Sequence, residues 1–176
     1  MLAVLHDPRV LREQVVRHAE EAAREGKGRG IVSLCTDPLN KLMWTHYADN
    51  HCGFCLEYRR DGCQILAGEL CQPVLYRDRY PTLRASDVLS LRPKQTFLDL
   101  LRTKSTDWEY EREWRVVWPE GDKAIGPLQV TGVILGLRTP EDTLKAVRSW
   151  AGQIEGIRFG HVRQIDKTFH TKVEWE

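Results

Sequence analysis

Asp107-Trp-Glu-Tyr-Glu-Arg-Glu-Trp-Arg-Val-Val-Trp118 decides how the rest of this chain is read. With the two-residue period of a strand, Trp108, Tyr110, Trp114, Val116 and Trp118 share one face, and Asp107, Glu109, Glu111, Glu113 and Arg115 share the other. The spacing predicts a strand with an aromatic core face and, behind it, a row of acids closed by a guanidinium. Same-face neighbours on a strand stand about 7 Å apart, so carboxylates that lose solvent there raise one another's pKa unless a cation intervenes. A solvated sheet face shows the same alternation, with charge outward and apolar residues inward.

The segments on either side supply the elements that such a strand needs. Upstream, Asp7-Pro8 predicts a capped helix to about Glu25, ended by Gly26, Gly28 and Gly30, and Ile31 to Thr36 reads as a buried strand containing Ser33. Asp37-Pro38 repeats the cap signal, predicting a helix with Leu39, Leu42, Met43, His46 and Tyr47 on its inner stripe. Strands are expected at Phe54–Tyr58 and Gln72–Tyr76, then irregular chain from Arg77 to Arg92, then a helix opened by Pro93 with Phe97, Leu98, Leu101 and Lys104 on one face. Downstream, Pro119 to Pro127 is a loop and Val130 to Leu135 a strand. Thr139-Pro140 with Asp142 starts a helix with Leu144, Val147 and Ala151 inward, and Ile157–Ile165 and Phe169–Trp175 close the chain as two strands turning at Asp166-Lys167. The expected fold is α+β: one domain over residues 1–176, with a mixed or mainly antiparallel sheet of about six or seven strands flanked by helices.

With 26 basic and 25 acidic side chains, the chain has no overall field to gather nucleic acid or an anionic membrane. No apolar run approaches the length of a membrane span and no signal peptide is apparent, so a cytoplasmic location is expected. Five cysteines then read as reduced thiols. Cys52-Gly-Phe-Cys55 has the spacing of a zinc half-site, but Cys63 and Cys71 are too far apart to complete it, so no metal is expected. His46 and His51, five apart, do not meet on a helix, and each is by default a structural histidine. The acidic strand offers more chemistry. Glu111 and Glu113, with Arg115 next in line, have the character of a site that orients a hydroxyl or a ribose. The helix carrying Trp44, His46 and Tyr47 is expected to form a ligand cleft with these two acids.

Leu42-Met-Trp-Thr-His-Tyr-Ala48, Gly53-Phe-Cys-Leu-Glu57 and Lys104 ahead of Trp108-x-Tyr110-Glu111-x-Glu113-x-Arg115 together resemble the bacterial family called domain of unknown function 2971. That resemblance implies no established activity. Members of the family usually begin with a further strand and an Asn-, Asp- and Pro-rich loop, so a chain lacking that N-terminal segment is expected here.

The layout is also similar to that of NAD-dependent ADP-ribosyltransferases, in which a Glu-x-Glu pair enters a strand downstream of a serine-bearing strand. This likeness implies that Glu113 is the catalytic glutamate, Glu111 its partner and Ser33 the strand serine, with NAD as cofactor and Trp44 or Tyr47 stacking on its rings. The first-strand arginine or histidine of those enzymes has no counterpart. Two other classes compete with it. One is a magnesium-dependent nuclease, where Arg115 stands in place of the expected lysine; the other is a non-catalytic binding or regulatory module, whose acids pair with arginines of a partner or of the chain itself.

Overall fold

Val130-Thr-Gly-Val-Ile-Leu135 is an almost continuous apolar run, the pattern of a strand covered on both faces. In the computed structural model, which describes residues 30–82, 98–118 and 128–176, it is an inner strand of a four-stranded sheet. Strands β1 (Gly30–Cys35), β2 (Phe54–Tyr58), β3 (Cys71–Pro73), β4 (Leu75–Arg77), β5 (Thr103–Ser105), β6 (Glu113–Trp118), β7 (Val130–Leu135), β8 (Arg158–Gln164) and β9 (Thr171–Trp175) accompany helices α1 (Lys41–Tyr47), α2 (Gln64–Ala67) and α3 (Glu141–Ala151). A 3-10 helix spans Thr106–Glu111, and residues 98–101 are helical. The α+β class read from the sequence is the one adopted, with mostly antiparallel sheets.

The described residues fall into two compact units. One contains β1 as far as Leu34, β3, β4, β5, residues 106–109 and β6; the other contains α1, β2, α2, Tyr110–Arg112 and everything from β7 onward. In the second unit the strand order is β2-β7-β8-β9. β7 pairs antiparallel with β2 and parallel with β8, and α3 makes the connection that a parallel pair requires. Val133 and Leu135 pack on Val147 and Ala151 of α3, while Ile134, pointing the other way, packs with Val162 and with Trp44 of α1. One strand thus serves two small cores. In the first unit β6 is the middle strand of the order β1-β6-β3, and β4 and β5 form a separate parallel pair. Val116 and Val117 are both buried there, so β6 is covered on both faces at its centre.

The deciding stretch folds differently from the expectation. Asp107 to Glu111 is 3-10 helix, Arg112 takes a left-handed conformation (φ 46°), and the strand begins only at Glu113. Ser105 and Asp107 explain the start: the Asp107 N–H donates to the Ser105 hydroxyl, which donates to the Asp107 carboxylate, a local bonding pattern that competes with a ladder. Trp108 is accordingly exposed, rather than part of a core face continuous with Val116.

Other boundaries shift for similar reasons. Asn40, not Asp37, caps α1, its side chain accepting from the Leu42 and Met43 N–H groups. Trp44 is the buried residue of this helix, while Leu42, His46 and Tyr47 of the predicted inner stripe are exposed. Lys104 lies in β5 rather than on a helix face, and the expected strand Gln72–Tyr76 is divided between β3 and β4. Thr139 turns its hydroxyl to the Gly53 and Gly136 carbonyls and does not cap α3. β2 and β7 match their expected spans, and Val147 and Ala151 face inward as expected. The expected helix from Pro8, the glycine-rich turn up to residue 29, residues 83–97 and the loop from Pro119 lie outside the described residues. No helix among the described residues is long and apolar enough to cross a membrane.

Candidate functional site

Burial singles out two acids of the predicted row. Glu111 is 2% exposed and Glu113 4%, while Asp107 and Glu109 are exposed. A carboxylate out of water requires partners, and each finds them within its own unit.

Glu113, the first residue of β6, is held by three side chains of the first unit. Ser33 of β1 donates its hydroxyl to Oε1 at 2.6 Å, and Arg115 brings Nε to the same oxygen at 2.7 Å and Nη2 to Oε2 at 3.3 Å. Lys104 of β5 places Nζ 3.0 Å from Oε2. Burial pushes the Glu113 pKa up, but the hydrogen bonds from Arg115, Ser33 and Lys104 outweigh it and bring the pKa down to about 2. The group is therefore an anion at every physiological pH. Two cations around one anion leave the cluster with a net positive charge.

Its supports are also tied down. Arg115 donates through Nη1 to the Leu101 carbonyl at 2.5 Å. The Glu113 N–H donates to the Tyr76 hydroxyl at 2.8 Å, and Tyr76 and Lys104 are register partners in the parallel β4–β5 pair, so a single short ladder presents both to Glu113. Lys104 Nζ also stands 5.0 Å from the centroid of the Trp108 ring.

Glu111 belongs to the second unit, where the Tyr47 hydroxyl donates to its Oε1 at 3.0 Å. Asn40 braces this pair: its Oδ1 caps α1, and its Nδ2 donates at 2.5 Å to the carbonyl of Tyr110. The Cys35 thiol has its pKa pushed up, mainly by burial, with the charges of Asp37 and then Glu111 adding to the effect. Trp44 does not join the pair. It is 4% exposed, its indole N–H donates to the Pro38 carbonyl at 2.7 Å, and its ring stacks on His51. His46 stands edge-on to Tyr47.

Of the residues singled out in the sequence, then, Ser33, Glu113 and Arg115 converge in one unit and Glu111 and Tyr47 in the other, while Trp44 is a core residue. Sequence reasoning put Tyr76 at the end of an expected strand without giving it a role, and placed Lys104 on a helix. Strand periodicity at Leu75–Arg77 and Thr103–Ser105 is too short to register, and a parallel pairing leaves no local trace.

The five cysteines form no disulfide. Residues 43–116 match the model of the family described as "Protein of unknown function (DUF2971)", so the resemblance read from the two motifs holds over the stretch from α1 into β6. No curated protein matches the chain, and neither does any solved structure.

Proposed function

We propose that this chain is an NAD-dependent ADP-ribosyltransferase-like domain in which Glu113 is the catalytic carboxylate and Ser33 and Arg115 bind and orient the cofactor. The observation that supports this reading is the 2.6 Å hydrogen bond from Ser33 to Glu113, which brings together a strand serine and a strand glutamate 80 residues apart. In the reaction, the bond between the nicotinamide nitrogen and the ribose carbon breaks, and nicotinamide leaves with the electron pair. The cationic ribosyl carbon then bonds to an acceptor, whose proton passes to solvent. A carboxylate that remains ionised stabilises that cation, and the surplus positive charge of Lys104 and Arg115 suits the cofactor's pyrophosphate. Glu111, Tyr47 and His46 belong to the other unit and are given no part in this reaction.

Incubating the full chain with NAD and measuring nicotinamide release tests the idea. Glu113→Gln, confirmed as folded by circular dichroism, should lower the rate by about a hundredfold or more, and NAD should raise the melting temperature of the wild type. Equal rates in the two proteins would defeat it. A second reading, a non-catalytic binding or regulatory module, is favoured by the saturation of both Glu113 oxygens, which is what a buried counter-ion needs. The same saturation weighs against a magnesium nuclease, since a metal would have to displace Lys104 or Arg115 from the carboxylate.

A further inference from the structure

The order β2-β7-β8-β9 leaves β9 at an edge of its sheet, and no other strand among the described residues pairs with it. The β8–β9 register decides which backbone groups that edge presents. Across the pair, the Ile165 N–H donates to the His170 carbonyl and the Glu176 N–H to the Phe159 carbonyl. Facing residues of an antiparallel pair alternate between bonded and non-bonded, so Lys172 and Glu174 turn their N–H and C=O groups inward, to Arg163 and His161. Those of Thr171, Val173 and Trp175 point outward, and among the described residues none bonds them.

The side chains of β9 divide by face. Val173 packs with Ile134 and Val162, and Trp175 lies over Gly132 and Gly160 with Arg158 Cζ 3.7 Å from its ring centroid. Lys172 and Glu174 share the opposite face, 2.6 Å apart, and Arg163 of β8 stands 3.9 Å from Glu174. Lysine on an open edge ordinarily repels a neighbouring strand. The glutamate two residues further on reverses that repulsion in one register alone.

Two β9 strands can pair antiparallel only with outward-pointing residues set against one another. Centred on Lys172, the pairing opposes lysine to lysine; centred on Glu174, it opposes glutamate to glutamate. Centred on Val173, it sets Lys172 of each copy against Glu174 of the other, at the close spacing of a non-hydrogen-bonded pair. Val173 then exchanges both of its backbone bonds with Val173 of the second copy, and Thr171 exchanges its own with Trp175. Every outward N–H and C=O of the strand finds a partner in that register, and Thr171 comes to lie beside a tryptophan that is otherwise 38% exposed.

We propose that β9 is a self-association edge, on which a second copy of this chain pairs antiparallel about Val173 and joins the two four-stranded sheets into one. The proposal stands apart from the transferase reading, since no residue of β9 belongs to that site. A strand of five residues makes a small interface, so the dimer is expected to dissociate in the micromolar range.

Sedimentation velocity on the full chain, from about 1 to about 200 μM, follows this equilibrium. Lys172→Glu and Glu174→Lys each put like charges at both symmetry-related pairs and should each raise the dissociation constant by about tenfold. Both side chains are 52% exposed, so the fold survives either change. The double variant restores opposite charges and should return to within about threefold of the wild type. Added salt should narrow the gap between the wild type and the single variants. The proposal is overturned if the chain stays monomeric across the range, whatever else then occupies the edge. A dimer that ignores both reversals, or that the double variant fails to restore, is built on another surface and overturns it equally.

Discussion

Protonating Glu113 should unfasten the first unit, and the effect can be sized from its surroundings. The carboxyl is brought from a usual value of 4.5 to about 2 by Arg115, Ser33 and Lys104. Because the folded-state pKa is depressed, the stabilisation is fully present above the unfolded value and is lost as pH falls from about 5 to about 2. The displacement corresponds to about 3 kcal/mol, of which about 2 kcal/mol is gone by pH 3. Glu113→Gln removes the same interaction at every pH and leaves Lys104 and Arg115 without their anion, so at neutral pH the variant should be less stable by about 3–5 kcal/mol. Urea denaturation of both proteins from about pH 7 to about pH 3 isolates the effect, because Glu57, Glu174 and Glu176, whose pKa values are also lowered, are present in both. The gap between the two should narrow steadily below about pH 5. A gap that stays constant across that range would mean that Glu113 is not held as an anion, and the account of the cluster would fail.

Two further outcomes test the supports. Tyr76→Phe removes the acceptor of the Glu113 N–H and should cost about 1 kcal/mol in urea denaturation; no loss would show that the phenol oxygen does not anchor the start of β6. Gly136→Ala would place a methyl carbon 2.2 Å from the His51 carbonyl oxygen and 3.1 Å from that of Gly53, which the Gly136 N–H itself bonds. Both neighbours are backbone and cannot swing aside, so a loss of about 1–3 kcal/mol is expected, and a melting temperature equal to the wild type would refute that packing.

How much of this was legible in the sequence depended on whether a pattern had one physical cause or two. β7 was read correctly because a six-residue apolar run bounded by turn residues has few other uses, and its coverage by α3 and Trp44 bears that out. Asp107 to Trp118 misled because its alternation is real only from Glu113 onward. Before that, the same residues satisfy a 3-10 helix begun by Ser105 and Asp107, and Arg112 turns left-handed without the glycine or asparagine that would announce it.

The consequence reaches the site. Strict alternation would have set Glu111 and Glu113 on one face as a repelling pair; the left-handed residue between them instead gives each acid its own partners, a tyrosine hydroxyl for Glu111, and two cations and a serine for Glu113. What the sequence did convey was the solvation cost of the acids, and that cost is why these two, out of the row, became the best-partnered carboxylates of the stretch. Apart from Arg115, two residues further along β6, the partners come from β1, β5 and α1, elements separated from the acids by up to 80 residues. Contacts over that distance leave no periodic signal. Of them, Ser33 and Glu113 had been assigned to one site only through a likeness of layout, while the hold of Lys104 and Tyr76 on Glu113 became visible only once the parallel pairing of β4 with β5 was known.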